Sequence, residues 1–189
     1  MGLLGKFFRK DKPKKSKYLP EKKEPVDISF AKKFTSNGGK FLFCENEEEL
    51  KTNFQNILIE NQISTSEVFS CEDSLVDYFQ VNNEIINPKA FLINCDFLIS
   101  DQGSVMVSNR QILDKKLDEL PKIFIIIANT SDIKNDVSDA MSAIKNKYGK
   151  SIPLNITNIH PTDTKKNSNF ISYKRTSKEL YLLLRDVNK

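Results

Sequence analysis

The sequence predicts a three-layer α/β/α domain built on a mostly parallel sheet. Three observations lead there. Residues 122–128 read as a strand around an unbroken Ile/Phe run at 123–127, which needs burial on both faces and therefore a central position. From residue 26 onward, amphipathic helical stretches alternate with short apolar strands. The chain has 189 residues, 39% hydrophobic, with 13 Phe, enough for one well-packed domain and too few for two of ordinary size.

Each element has a local reason. Residues 26–35 read as a short helix ended by Asn37, Gly38 and Gly39, which supply the left-handed backbone that a helix stop needs. Lys40, Phe41, Leu42, Phe43 and Cys44 form a short apolar strand. Asn46 caps the next helix, and Glu47, Glu48 and Glu49 sit at the positive end of its dipole. Leu50, Phe54, Ile57 and Leu58 are its buried stripe. Glu67, Val68 and Phe69 read as a strand, followed by a helix over 74–79 that buries Leu75, Val76 and Phe79. Phe91, Leu92 and Ile93 lead into a strand-turn-strand over 97–107. After the central run, Thr130 or Ser131 caps a long helix with Ile133, Val137, Ala140, Met141, Ile144 and Tyr148 on one face, stopped by Gly149. Residues 152–159 read as a strand interrupted by Pro153, and residues 179–184 as a last buried strand. No internal repeat is evident.

The net charge of +4 is unevenly placed. Residues 1–25 hold nine Lys/Arg against three Asp/Glu, and the remaining residues hold 20 bases against 22 acids. The expected organisation is a basic flexible arm over 1–25, rich in Pro and Lys, and a nearly neutral α/β domain over 26–189. A near-neutral body argues against nucleic acid as a partner. Leu3, Leu4, Phe7 and Phe8 lie at helical spacing opposite Lys6, Arg9 and Lys10, but ten residues make a weak anchor, so membrane contact by the arm is not expected. Lys6 breaks any signal-peptide pattern and stands where a myristoylation site needs Ser or Thr. Cys44, Cys71 and Cys95 have no C-x-x-C spacing and read as reduced structural thiols, fitting a cytoplasmic location.

Several chemistries are excluded by what the chain lacks. His160 is the sole histidine, beside Pro161 in a loop, and no G-x-S-x-G elbow accompanies it. No dinucleotide or Walker glycine pattern occurs, and neither cofactor nor metal is expected. The acidic pairs Glu72-Asp73 and Asp118-Glu119 read as solvated surface. What remains is the polar turn Ser100, Asp101, Gln102, Gly103 and Ser104. Asp101 can accept from a hydroxylated ligand, Gly103 permits positive φ, and Ser104 with neighbouring N–H groups can donate to an anion. Arg110 downstream suits a carboxylate. Asp, Gly and Ser are equally ordinary turn residues. Asn129 and Thr130, at the carboxyl end of the central strand, are a second candidate, since ligands of open α/β sheets bind there.

The stretch from Asp96 to Val107 resembles the pattern ad-x-aIA-[DE]-x-Gt-hhh of the lactate-utilisation (LUD) domain family, which includes the LutC/YkgG proteins and part of LutB. Asp101 stands at the acidic position, Gly103 at the glycine and Ser104 where Thr is common. Leu120 and Pro121, followed by an apolar strand and a long helix, match the family order. The resemblance runs from about Asn37 to Leu184. It implies a NagB/RpiA/CoA-transferase-like fold and a role in oxidising L-lactate to pyruvate alongside iron–sulfur partner proteins. The family's GPSRTADIE-like and GVHGP-like segments have no counterpart in Thr157 to Ser168. The expected function is an accessory or ligand-binding component of lactate utilisation with no redox centre of its own, taking a small anionic metabolite, lactate-like or CoA/phosphate-bearing. One alternative is an enzyme acting on a CoA ester, folate or sugar phosphate with Asp101 as catalytic general base. Another is a non-catalytic interaction module docking through the basic arm.

Overall fold

The computed structural model describes residues 24–84, 86–113, 115–161 and 178–186. The basic arm lies outside them apart from Glu24 and Pro25, as does most of the region where the family's C-terminal segments were sought.

Two sheets organise the domain. The larger has five parallel strands in the order β1 (Lys40–Cys44), β9 (Glu179–Arg185), β6 (Ile123–Asn129), β3 (Ala90–Asn94) and β2 (Val68–Phe69). The Ile/Phe run takes the central place because its alternate side chains are apolar on both faces. Phe124, Ile126 and Ala128 join Leu180, Leu182 and Leu184 in one core, and Ile125 and Ile127 join Tyr181 and Leu183 in another. The second core is roofed by α2 (Glu47–Asn61) and α3 (Asp73–Phe79). In α2 the Asn46 Oδ1 accepts from Glu49 N at 2.9 Å, and Leu50, Phe54, Ile57 and Leu58 are the buried stripe.

The other face of the parallel sheet is covered by α1 (Val26–Ser36), α4 (Asn109–Ile112) and a small mixed sheet. Its order is β7 (Ile133–Lys134), β4 (Phe97–Ile99), β5 (Ser104–Val107) and β8 (Thr157–Ile159). The expected strand-turn-strand is the antiparallel β4–β5 hairpin. Leu98, Val105 and Val107 face the large sheet, while Phe97, Ile99 and Met106 face α5 (Val137–Tyr148) through Ala140 and Ile144. The α/β class and the mostly parallel sheet flanked by helices therefore hold, with the small sheet interposed between the large one and α5.

Local departures have physical reasons. The last helix starts later than its apolar pattern suggested: Asp136, not Thr130 or Ser131, caps it, accepting from Asp139 N at 2.9 Å. Thr130–Asp132 is a 3-10 turn, and Ile133 belongs to β7, where pairing beside Leu98 overrides its helical spacing to Val137. Glu67 closes a 3-10 turn rather than opening a strand, because its carboxylate accepts from Ser64 N at 3.0 Å. Val76 is half-buried, and the 152–159 strand shrinks to β8. All three cysteines are free thiols, with Cys44 and Cys95 buried and Cys71 half-buried. Among the described residues no helix is long and apolar enough to cross a membrane.

Candidate functional site

A cavity of about 510 Å³ opens at the carboxyl ends of the parallel strands. Asn94 and Cys95 reach it from the end of β3, Ile127 and Asn129 from β6, and Arg185 from β9. Sheet register explains two of these neighbours: Asn129 pairs with Arg185, so Arg185 Nε donates to Asn129 Oδ1 at 3.1 Å. Loops and helix ends complete the wall. Glu72 precedes α3, Asp132 follows β6, Arg110 and Gln111 lie on α4, and Lys147 and Tyr148 form the last turn of α5.

The charges divide into satisfied and open groups. Both Glu72 oxygens are occupied, accepting from Asn94 N and Nδ2 at 2.7 Å each. Glu72 is therefore half-buried at the cavity wall and not the solvated surface its acidic pair suggested. Asp132 Oδ2 accepts from Asn129 N at 2.8 Å. Arg185 lies 3.5 Å from the Glu47 carboxylate. Arg110 stacks its guanidinium over the Tyr148 ring at 4.4 Å, and the Lys147 ammonium sits 5.2 Å from the same ring. Among the described residues no carboxylate lies within ion-pair reach of Arg110 or Lys147.

A buried network holds this platform from below. Asp96 is fully buried, and its Oδ1 accepts from Tyr148 Oη at 2.7 Å and from Gln111 Nε2 at 3.5 Å. Gln111 is fixed in turn, its Oε1 accepting from Ser108 N at 2.9 Å and Ser108 Oγ at 3.1 Å. Asp96 Oδ2 has no hydrogen-bond partner among the described residues. Burial, and next the bond to Asp96, pushes the Tyr148 phenol from 10.0 up to about 12. Tyr78, bonded to Glu47, is pushed to about 12 by burial in the same way. The fold thus favours both neutral phenols, a contribution fully present below pH 10 and lost as pH rises through about 12. Thermal unfolding across that window should fall more steeply for the wild type than for the Tyr78→Phe/Tyr148→Phe variant. Parallel curves would contradict this assignment.

Of the residues singled out from sequence, the structure brings Arg110 and Asn129 to this cavity. The polar turn lies elsewhere. Strand β4 leaves the cavity after Asp96, and β5 returns to Arg110, so the hairpin tip is at the far end of the small sheet. There it packs on α1. Ser100 is buried and its Oγ donates to Val26 O at 2.9 Å. The Asp101 carbonyl accepts from Lys33 Nζ at 2.8 Å, and the Gln102 carbonyl accepts from Asn37 Nδ2 at 2.9 Å. Gly103 has φ +57, with space for a Cβ taken by the α1 backbone, and Ser104 is fully buried. The Asp101 side chain is exposed and does not line the cavity. Thr130 borders a separate 310 Å³ depression beside α1, its Oγ1 buried without a partner among the described residues. His160 follows β8 and does not line the cavity.

Fold and site together define an α/β protein with a polar, cation-bearing cavity at its strand carboxyl ends. A family model for the LUD domain matches residues 76–184, and the chain belongs to that family. The match spans Arg110, Asp132, Lys147 and Tyr148 of the cavity. Among solved structures, the chain is similar to a crystal structure of a DUF162 family protein from Deinococcus radiodurans at 1.70 Å resolution. The TM-score is 0.58 at 12% identity, over 85% of this chain and 96% of that one, a likeness of fold. No curated protein matches.

Proposed function

We propose that the protein is a ligand-binding component of lactate utilisation, whose strand-end cavity takes a small carboxylate. The observation that carries this reading is the pair of cations, Arg110 and Lys147, lining one cavity with no carboxylate among the described residues within ion-pair reach of either. A guanidinium carries a planar N–H fork that suits bidentate binding of a carboxylate, and the Arg110 guanidinium lies over the Tyr148 ring at the cavity wall. Membership of the LUD family makes L-lactate or pyruvate the first ligands to try. Electron transfer would fall to iron–sulfur partner proteins. Asp101, remote from the cavity, has no part in this reading. Calorimetric titration of the full chain with L-lactate and pyruvate tests it. Heat that is lost in Arg110→Met supports the reading, and no heat with either acid overturns it.

A further inference from the structure

Arg110 is exposed, belongs to a helix of four residues, and has no carboxylate among the described residues to pin it. Its described contact is the Tyr148 ring, whose centroid lies 4.4 Å from the guanidinium carbon. A long side chain left free on the surface samples several rotamers, and ordering it on binding costs affinity. Whatever fixes the Tyr148 ring and α4 therefore acts on the cation.

Asp96 fixes both. Its Oδ1 accepts from Tyr148 Oη at 2.7 Å and from Gln111 Nε2 at 3.5 Å, and Gln111 follows Arg110 on α4. The end of α5 and the helix that carries Arg110 thus meet on one oxygen atom. That atom is tied to the small sheet, because Asp96 N donates to Met106 O of β5 at 2.9 Å. Asp96 is fully buried and does not line the cavity. Its Oδ2 is buried with no partner among the described residues, a cost in stability that argues for a role beyond packing. Resting on the assignment of the ligand carboxylate to Arg110, we infer that Asp96 is a positioning residue. Through Tyr148 and Gln111 it holds the Arg110 guanidinium in place, and so sets the affinity of the site without touching the ligand.

Tyr148→Phe is the first test, because it keeps the ring and removes only the hydroxyl that Asp96 holds. In titrations of the full chain with L-lactate and pyruvate, it should weaken binding about two- to twelvefold, the cost of ordering one long side chain. Asp96→Ala should do the same, and Asp96→Asn, which keeps an acceptor for the phenol, should recover most of that loss. In an Arg110→Met background, Tyr148→Phe should add less than about a twofold loss, since both residues act through one cation. Wild-type affinity in Tyr148→Phe, or a loss that persists in full without Arg110, overturns the inference. A readout without ligand separates it from the binding reading. Ring currents of Tyr148 should shift the Arg110 side-chain protons upfield in NMR spectra of the wild type. Tyr148→Phe should move them toward the positions of a free arginine, although the phenyl ring supplies a like current. Unmoved resonances overturn the positioning whether or not a ligand binds. If the wild type binds neither acid, the binding reading falls and the NMR result decides the placement of Arg110. Should Asp96→Ala not fold, Tyr148→Phe decides alone.

Discussion

Replacing Gly103 by alanine is expected to destabilise the protein by about 3 kcal/mol or more, combining a strained backbone with overpacking. The backbone there is at φ +57, and an added Cβ would lie 2.5 Å from Phe34 N and 2.6 Å from the Lys33 carbonyl carbon. Both are main-chain atoms of a packed helix, so no side chain can swing away to relieve the contact. Gly149 supplies the control. It has φ +54 and ψ −114 with nothing within 4 Å of its Cβ position, so alanine there meets only the conformational penalty, about 1–3 kcal/mol, without the overpacking. Urea midpoints of the two variants should differ clearly. Equal midpoints would mean that the turn does not sit against α1 as described, and its polar residues would return as candidates for ligand contact.

Arg110→Met should weaken binding of a small carboxylate by roughly 10- to 150-fold, the value of a hydrogen bond to a charged group, with little change in stability. The guanidinium is exposed and its described contact is the Tyr148 ring, against which a methionine can still pack. Arg110→Lys keeps the charge and loses the fork, so it should fall between the two. Lys147, a point charge at the end of α5, should contribute less than Arg110. An unfolding midpoint that shifts as much as the affinity would point to a structural arginine instead.

The fold was largely legible because its signals are local. The strand Lys40–Cys44, the Asn46 cap and the four buried residues of α2 follow from patterns a few residues long. The central place of β6 follows from an apolar run with no polar face. The small sheet was only half visible, since β7 is two residues long and its Ile133 also fits a helical stripe. The cavity was mostly hidden for the opposite reason. Glu72, Asn94, Asp132, Lys147 and Arg185 come from separate elements and meet only through sheet register and helix packing. Arg110 and Asn129 were found by chemistry and by the strand-end rule respectively. Two further signals were available: Arg185 closes a buried strand at its carboxyl end, and Lys147-Tyr148 closes an amphipathic helix beside it. The 100–104 turn drew attention because Asp, Gly and Ser serve ligand sites and tight turns alike, and only the packing of α1 against it separates the two.

The central claim is that a small carboxylate binds at the strand ends on Arg110 and Lys147. A crystal structure of the full chain grown with saturating L-lactate tests it most directly. The expected density places the ligand carboxylate within hydrogen-bond reach of the Arg110 guanidinium and the Lys147 ammonium. Lactate seated instead at the Gly103 turn, or an unchanged cavity with no lactate in it, would contradict the claim.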